Sequence, residues 1–323
     1  MKKIKVAIVG ATGLVGKKIL ENLVEEGLFD KIELTLFVSD KSAGNKMVFQ
    51  GEEYELLELN EDSAGMNFDI VLFSAGEDVS LRWACHFADA GAYVIDNSNA
   101  FRRDPDIPLV VPEINISKVS KDTKIIANPN CSTIQLVMVL DKISKLGTIE
   151  KVVVSTYQSV SGAGSDALAD LVNDTHNVFE HGIRDNIIPQ IGGLCSNGFC
   201  TEEDKLMFET SKILDKDIDL IATAVRIPTP YCHGESVYVK FKESVLASKV
   251  KEAIESDKVI VSDGLFNLAD CTDTNEVYVS RIRNGAPNEI LFFNVADNLR
   301  RGASYNAVLI AKFLMENFVK KGI

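Results

Sequence analysis

Asn128-Pro129-Asn130-Cys131-Ser132-Thr133 is the stretch whose reading decides the architecture. It follows a short apolar run, residues 124–127, that reads as the end of a strand. It precedes residues 133–146, dense in Ile, Leu, Val and Met with no breaker before Gly147, which read as a buried helix. Cys131 is therefore expected at a helix N-terminus. There, unpaired backbone N–H groups and the positive end of the helix dipole stabilise a thiolate and make a partly exposed cysteine a nucleophile. A cysteine in an arbitrary setting is more often a small buried residue, and it is the strand-to-helix corner that reverses the expectation.

Upstream, residues 4–9 form an apolar strand running into Gly10-Ala11-Thr12-Gly13-Leu14-Val15-Gly16 and then an amphipathic helix ending near Gly27. Glycines let the backbone turn tightly and approach a pyrophosphate, which then rests on the helix N-terminus. With a second strand, residues 34–38, at the right distance, the loop predicts a dinucleotide site. An acidic residue after that second strand suits the ribose hydroxyls of NAD, whereas basic and hydroxyl groups suit the extra phosphate of NADP. The sequence offers both in Ser39-Asp40-Lys41-Ser42-Ala43-Gly44. Ser39, Lys41 and Ser42 favour NADP, and Asp40 keeps NAD as a weaker alternative. Residues 69–74, a helical segment to Ala90, and residues 93–96 continue the alternation of strand and helix. Such alternation predicts a parallel doubly wound sheet that binds ligands at the carboxyl ends of its strands, where residues 74–76 and 97–102 lie. Arg102 is a surface charge or, beside a nucleophile loop, an anion clamp.

Downstream the pattern changes. Residues 151–160 are strand-like and lead into Tyr157-Gln158-Ser159-Val160-Ser161-Gly162-Ala163-Gly164, whose small residues permit close approach to a planar ligand. A polar, irregular stretch (173–197) follows, then Thr201-Glu202-Glu203-Asp204-Lys205 opening a helix. A strand at 220–228 delivers Arg226, and His233 lies seven residues on. Strands at 235–241, 259–261, 277–283 and 289–295 make this half strand-rich, a sheet with helices on one face. Asp297-Asn298-Leu299-Arg300-Arg301-Gly302-Ala303 introduces a last helix to about Val319. The expected domains are 1–127 with the C-terminal 300–323, binding the cofactor, and 128–299, carrying catalysis and dimerisation.

At 323 residues the chain exceeds the size at which one core usually stops growing. Hydrophobic content of 46% and charged content of 25% are those of a globular protein. A net charge of -13 argues against nucleic acid and anionic membranes as general partners. The six cysteines show no CxxC pair and the four histidines no HxxxH or HExxH, so no metal site is expected. Met1-Lys2-Lys3-Ile4-Lys5 leads into a strand rather than a signal core, and no run of about 18 apolar residues follows. These features predict a cytoplasmic protein.

From end to end the chain resembles the aspartate-β-semialdehyde dehydrogenases. The resemblance rests on GATGxVG at Gly10 to Gly16, the NPNCST loop, the QSVSGAG stretch, the Glu-x-x-Lys pair, Arg-Ile-Pro followed by His, and Asp-Asn-Leu-Arg-Arg-Gly-Ala. It implies a Rossmann-type doubly wound parallel sheet plus an α+β catalytic and dimerisation domain, glyceraldehyde-phosphate-dehydrogenase-like. By the same resemblance Cys131 is the nucleophile, Gln158 orients the reacting groups and His233 is the general acid/base. Asn130, Glu202 and Arg226 would hold the substrate, the last two at its amino and carboxylate ends, and Arg102 and Lys205 its phosphate. Gly10, Thr12, Gly13, Leu14, Val15, Ser39, Lys41, Ser42, Gly76, Ser161, Gly162 and Asn298 would contact NADP. Two departures stand out. The family usually has Arg at Lys41, and Lys cannot offer a bidentate fork. Around the histidine the family more often reads Gly-His-Ser-Glu or Ala-His-Ser-Glu, where this chain has Cys232-His233-Gly234-Glu235.

The implied reaction is reversible, NADPH-dependent reductive dephosphorylation of L-aspartyl 4-phosphate to L-aspartate 4-semialdehyde, in biosynthesis of lysine, threonine, methionine and diaminopimelate. A thiolate adding to the carbonyl makes a thioester, and histidine moves the proton. Two alternatives stand beside it. N-acetyl-γ-glutamyl-phosphate reductase would use the same chemistry, but its cysteine typically follows Gly and an acylated amine has no use for Glu202. A non-enzymatic NADP-binding regulator would have no need of Cys131, Gln158, Arg226 and His233 together. The late strands, with Val277, Val279, Ile290, Phe292 and Phe293, carry more apolar residue than one covered face needs, which predicts a homodimer or a homotetramer built from dimers.

Overall fold

The structure is a computed structural model that describes residues 3–319. The chain folds into two units, one of the described residues up to Pro129 and from Ala303 onward, the other Asn130–Gly302. In the first unit β1 (Ile4–Val9), α1 (Leu14–Glu25), β2 (Ile32–Val38), β3 (Lys46–Phe49), β4 (Glu52–Glu58), β5 (Ile70–Phe73), α2 (Glu77–Asp89), β6 (Tyr93–Asp96), α3 (Pro112–Asn115) and β7 (Ile125–Ala127) follow in order. The strands line up as β3-β4-β2-β1-β5-β6-β7. All neighbours are parallel except the β3/β4 hairpin. The chain winds outward from β1 through β2, then returns to add β5, β6 and β7 on the other side. The reversal between β1 and β5 opens a crevice at their carboxyl ends.

Burial explains the central strands. The inner residues of β1 and β5 are fully buried, and Ile8, Ile19, Leu23 and Leu314 share one core cluster that packs α1 and the last helix on one face. On the other face Phe37, Phe68, Phe73 and Phe87 meet at ring-centroid distances of 5.8 to 6.2 Å, preferred aromatic geometry. The β3/β4 hairpin lies outside the expected elements. Its turn puts Gln50 at φ 51° and Gly51 at φ 79°, the primed geometry that suits a two-residue hairpin, but the charged residues of these edge strands hide the apolar alternation.

In the second unit α4 (Cys131–Ile143), β8 (Ile149–Gln158), α5 (Ser165–Asn173), α6 (Thr201–Leu214), β9 (Leu220–Arg226), β10 (His233–Phe241), α7 (Ala247–Ile254), β11 (Val259–Val261), β12 (Val277–Asn284) and β13 (Glu289–Ala296) precede α8 (Tyr305–Asn317), which returns to the first unit. The strand order is β11-β12-β13-β10-β8-β9. Helices α4, α6 and α7 pack on one face of this sheet. α4 is buried nearly all round, as its unbroken apolar run requires. The apolar surplus expected on the late strands is mostly absent. Val277, Val279, Ile290 and Phe292 alternate inward and are buried under the unit's own helices. Phe293 alone of the five turns to the opposite face, where Val153, Tyr157 and Ile221 are each 38% exposed.

Among the described residues no helix is long and apolar enough to cross a membrane, and no cluster of His, Cys, Asp and Glu could hold a metal ion.

The irregular segment after α5 is organised by one carboxylate. Asp170 accepts hydrogen bonds from Thr175 Oγ1 (2.6 Å), Val178 N (2.6 Å), Asn177 N (3.0 Å) and Phe179 N (3.2 Å). Burial works to raise its pKa, but these donors outweigh burial and hold it well below the usual carboxylate range. A depressed folded pKa contributes stability above the unfolded value and loses it as pH falls. Asp170→Asn is therefore expected to make residues 173–182 more protease-sensitive at pH 7. The difference from wild type should shrink as the pH falls below about 4. Equal cleavage of the two proteins at pH 7 would contradict this.

Candidate active site

α4 starts at Cys131, two residues earlier than its apolar run, because Asn130 caps it. The Asn130 side chain accepts from Ser132 N at 2.9 Å and from Thr133 N at 3.4 Å, a cap typically worth about 1 kcal/mol. This corrects one expectation, since two of the first N–H groups are satisfied by Asn130 and not left for a thiolate. The dipole and the Cys131 position at the first helical residue remain. Cys131 is half-buried. A Cβ on Gly302 would lie 2.7 Å from the Cys131 Cβ, so only glycine fits behind Cys131. The sequence motif around Gly302 does not announce this contact.

The other amide end of Asn130 reaches α6. Asn130 Nδ2 donates to Glu202 Oε1 at 2.8 Å, and Gln158 Nε2 donates to the same oxygen at 3.1 Å. Lys205 Nζ lies 3.1 Å from Glu202 Oε2. Burial would raise the Glu202 carboxyl, but the Lys205 charge and the two amides outweigh it and hold it below its usual value. Lys205, expected on phosphate, is thus first an ion-pair partner, one turn along the same helix. Glu209, also on α6 and not singled out from sequence, accepts the Asn130 backbone N–H at 2.7 Å. The corner at Asn130 and Cys131 is therefore held to α6 at two carboxylates.

Register places the remaining groups. Gln158 ends β8 opposite Arg226 of β9 and His233 of β10. Arg226 Nη1 donates to the Ser159 carbonyl at 2.6 Å. Burial lowers its pKa, and the charges of Glu202 and Cys131 act in the other direction, which puts the guanidinium in electrostatic reach of both. His233 is 0% exposed on a strand that begins two residues earlier than expected, so it is not a loop histidine. Its Nδ1 accepts from Ser159 N at 3.1 Å, which leaves the ring proton on Nε2. Nε2 has no hydrogen-bond partner among the described residues. Burial and then Arg226 push its pKa down to about 3, so the neutral ring prevails at neutral pH.

Ser161, Gly162 and Asn298, expected on the cofactor, sit beside this histidine. Asn298 Oδ1 accepts from Cys232 N (3.0 Å), Ser159 Oγ (3.1 Å) and Ser161 Oγ (3.2 Å). A Cβ on Gly162 would come within 3.0 Å of Arg226 Nη1 and 3.4 Å of His233 Nε2. Of the residues flanking the histidine, Gly234 alone has a structural reason for departing from the family pattern. Cys232 takes the left-handed φ of 67° and is buried beside Cys271 and Val295, and burial pushes its thiol up to about 12. A Cβ on Gly234 would meet the Phe293 ring at 2.8 Å, so the diagonal neighbour on β13 leaves no room for a side chain there.

The first unit holds the other expected residues. Gly10 has φ 84°, and a Cβ there would strike Ser74 O at 2.7 Å, so β1 and the loop after β5 approach closely at the crevice. Gly13 is the N-cap of α1 and gives it no side-chain cap. Thr12, Leu14 and Val15 surround this open end, and Gly76 plays the same capping part at α2 with φ 97°. A pocket of about 330 Å³ beside them is lined by Val9, Gly10, Val38, Ser39, Asp40, Ala75, Val79 and Trp83, with Glu58 at the end of the unforeseen hairpin strand and Leu59 after it. An uncapped helix end for a pyrophosphate and an apolar slot ending in Ser39 and Asp40 fit a dinucleotide. Lys41 is exposed and, with Ser42, lies just beyond the lining residues. Arg102 is buried, its Nη2 donating to the Asn97 carbonyl at 2.8 Å.

Two family models match the chain. Residues 5–122 match the semialdehyde dehydrogenase NAD binding domain, and residues 140–301 the semialdehyde dehydrogenase dimerisation domain. The aspartate-semialdehyde dehydrogenase of Aquifex aeolicus (strain VF5) is 43% identical over 99% of each chain, and that of Bacillus subtilis (strain 168) 40% identical over 96% of each. Aspartate semialdehyde dehydrogenase II from Vibrio cholerae, solved in complex with ASA, superposes with a TM-score of 0.94 at 37% identity, covering 98% of this chain and all of that one. The chain belongs to the aspartate-semialdehyde dehydrogenase family.

Proposed function

We propose that this chain performs the NADPH-dependent reductive dephosphorylation of L-aspartyl 4-phosphate to L-aspartate 4-semialdehyde, reversibly, in the cytoplasm. The observation that carries the reading is the grouping of opposite charges in one unit. Glu202, ionised and tied to Asn130 and Gln158, is available for an ammonium group, and Arg226, in electrostatic reach of Cys131, for a carboxylate. A free α-amino acid needs both, whereas an N-acetylated substrate needs no anion at Glu202.

In the biosynthetic direction the Cys131 thiolate adds to the acyl phosphate carbonyl, and the tetrahedral adduct collapses with loss of phosphate to leave a thioester. NADPH, when bound, supplies the hydride that reduces it. Cys131 then leaves as thiolate when the thiohemiacetal oxyanion reforms a carbonyl. The neutral His233 offers Nε2–H to that oxyanion, an interaction of the kind whose loss costs about 100- to 1,000-fold in kcat. With Nδ1 engaged by Ser159, the ring is fixed in the tautomer that donates. Gln158 fixes the Glu202 carboxylate and so the substrate amine. Lys205, and Arg102 by family resemblance, are the proposed phosphate ligands. Ser39, Lys41 and Ser42 would hold the 2′-phosphate of NADP, while Asp40 and Glu58 at the pocket keep NAD as a weaker alternative. Homodimerisation, through the sheet face that carries Val153, Tyr157, Ile221 and Phe293, is part of this reading; pairing of two dimers would make a tetramer.

Four outcomes test it. Cys131→Ala should abolish turnover, leaving NADPH binding unchanged in a fluorescence titration; residual turnover near wild type would refute the nucleophile. Glu202→Ala should raise KM for the amino-acid substrate by about 10- to 100-fold, the loss of a charge-assisted contact, without creating activity on the N-acetylated glutamyl analogue. Lys41→Ala should weaken NADPH binding much more than NADH binding, and equal weakening would remove Lys41 from the phosphate site. Light scattering during size exclusion should give at least twice the 35.4 kDa chain mass, and a monomer mass at micromolar concentration would exclude the dimer.

A further inference from the structure

The inward residues of β10 are His233, Glu235, Val237, Val239 and Phe241, all essentially without solvent contact. An acid in this row needs an explanation, because a buried charge is costly unless it is paired. Register sets Asn294 of β13 on one side of Glu235 and Thr156 of β8 on the other. From above, α4 contributes Gln135, one turn beyond Cys131.

The hydrogen bonds fix how Gln135 is turned. Its Nε2 donates to Asn294 Oδ1 at 2.9 Å and to the His233 carbonyl at 3.3 Å, and the reverse orientation would lose both. That leaves Gln135 Oε1 wanting a donor and Asn294 Nδ2 wanting an acceptor, both buried. The Glu235 carboxyl is within reach of both amides, although neither of its oxygens completes a well-formed bond. A carboxylic acid supplies one O–H and one C=O, matching the two needs, and a carboxylate supplies acceptors only. The buried titratable groups on the elements packed around it are His233 on its own strand, Arg226 on β9, and Glu202, Glu203 and Glu209 on α6, with half-buried Cys131 on α4 and with Lys205 paired to Glu202. None of these charges stabilises an ionised Glu235; burial pushes the carboxyl up to about 8, and the Asn294 and Gln135 amides act weakly against it.

We propose that Glu235 is a positioning residue for the reaction: it donates its O–H to Gln135 Oε1 and accepts from Asn294 Nδ2, locking the amide that ties the His233 backbone to the helix headed by Cys131. This rests on the reading of Cys131 and His233 given above. A folded pKa raised from 4.5 to about 8 means that its contribution to stability is complete below pH 4.5 and is lost as pH rises to about 8. His233 acts oppositely, losing stability as pH falls from 6.5 to about 3, so the comparison has to be made between wild type and variants differing only at Glu235.

Glu235→Gln has two N–H donors and one C=O acceptor, enough to serve both amides, and cannot ionise, whereas Glu235→Leu keeps the bulk and neither kind of group. Thermal melts between pH 5 and 8 should show wild type losing stability relative to E235Q as pH rises. E235L should lower kcat by about 10- to 100-fold with KM and NADPH affinity little changed, and E235Q should restore most of it. Melting curves of wild type and E235Q that run parallel from pH 5 to 8 would overturn the proposal, as would an E235L enzyme with wild-type kcat or an E235Q enzyme as impaired as E235L. The melts contain no substrate, so they decide the state of Glu235 even if the roles of Cys131 and His233 fall or if E235L does not fold.

Discussion

Asn130 engages both ends of one side-chain amide, and the second unit's site depends on it. Its oxygen caps α4 and so fixes where the helix begins, which makes Cys131 the first helical residue. Its nitrogen binds Glu202, the carboxylate proposed for the substrate amine. One short side chain therefore ties the position of Cys131, the proposed nucleophile, to that of Glu202. Glu209 adds a bond to the same residue's backbone, so α4 and α6 are joined at the point where the chemistry would occur. Both carboxylates are buried, and their bonds to Asn130 gain strength from the low local dielectric.

The sheet beneath shows a second constraint. Along the inner face of β8, β9, β10 and β13, apolar residues fill one end, and Thr156, Gln158, Arg226, His233, Glu235 and Asn294 gather toward the other. Polar groups so placed must satisfy one another. The result is a web in which Ser159 serves His233 and Arg226, Asn298 serves Ser159, Ser161 and Cys232, and Gln135 serves His233 and Asn294. Each bond that is made restricts how the next side chain can turn, and burial raises its strength. Burial with Arg226 also explains why His233 stays neutral, since both disfavour its cation.

Much of this was legible in the sequence because the signals were local. The glycine loop between β1 and α1, the apolar run of α4 and the β-branched strands gave element type and order directly, and the parallel sheet followed from their alternation. Whatever depended on cross-strand or cross-helix contact was hidden. The β3/β4 hairpin is too polar to show a period of two, and the late strands look excessively apolar until their alternate residues are seen to face α4 and α7. At the site, the strand-to-helix corner pointed to Cys131 and the family resemblance to Gln158, Arg226 and His233, the last three of which register brings onto neighbouring strands. The Glu-x-x-Lys spacing admits the Lys205–Glu202 pair, but Glu209 holding Asn130 and Gly302 backing Cys131 are contacts between residues far apart in the chain, and no motif spacing announces them.

The central claim is that Cys131 carries the acyl group between loss of phosphate and reduction. Mixing the enzyme with L-aspartyl 4-phosphate in the absence of NADPH, quenching in acid and mapping peptides by mass spectrometry tests it most directly. The account predicts an aspartyl adduct on the peptide containing Cys131, removed by hydroxylamine and discharged when NADPH is added before the quench. An unmodified Cys131 peptide under conditions of full turnover, or an adduct on Cys85, Cys195, Cys200, Cys232 or Cys271 instead, would contradict it.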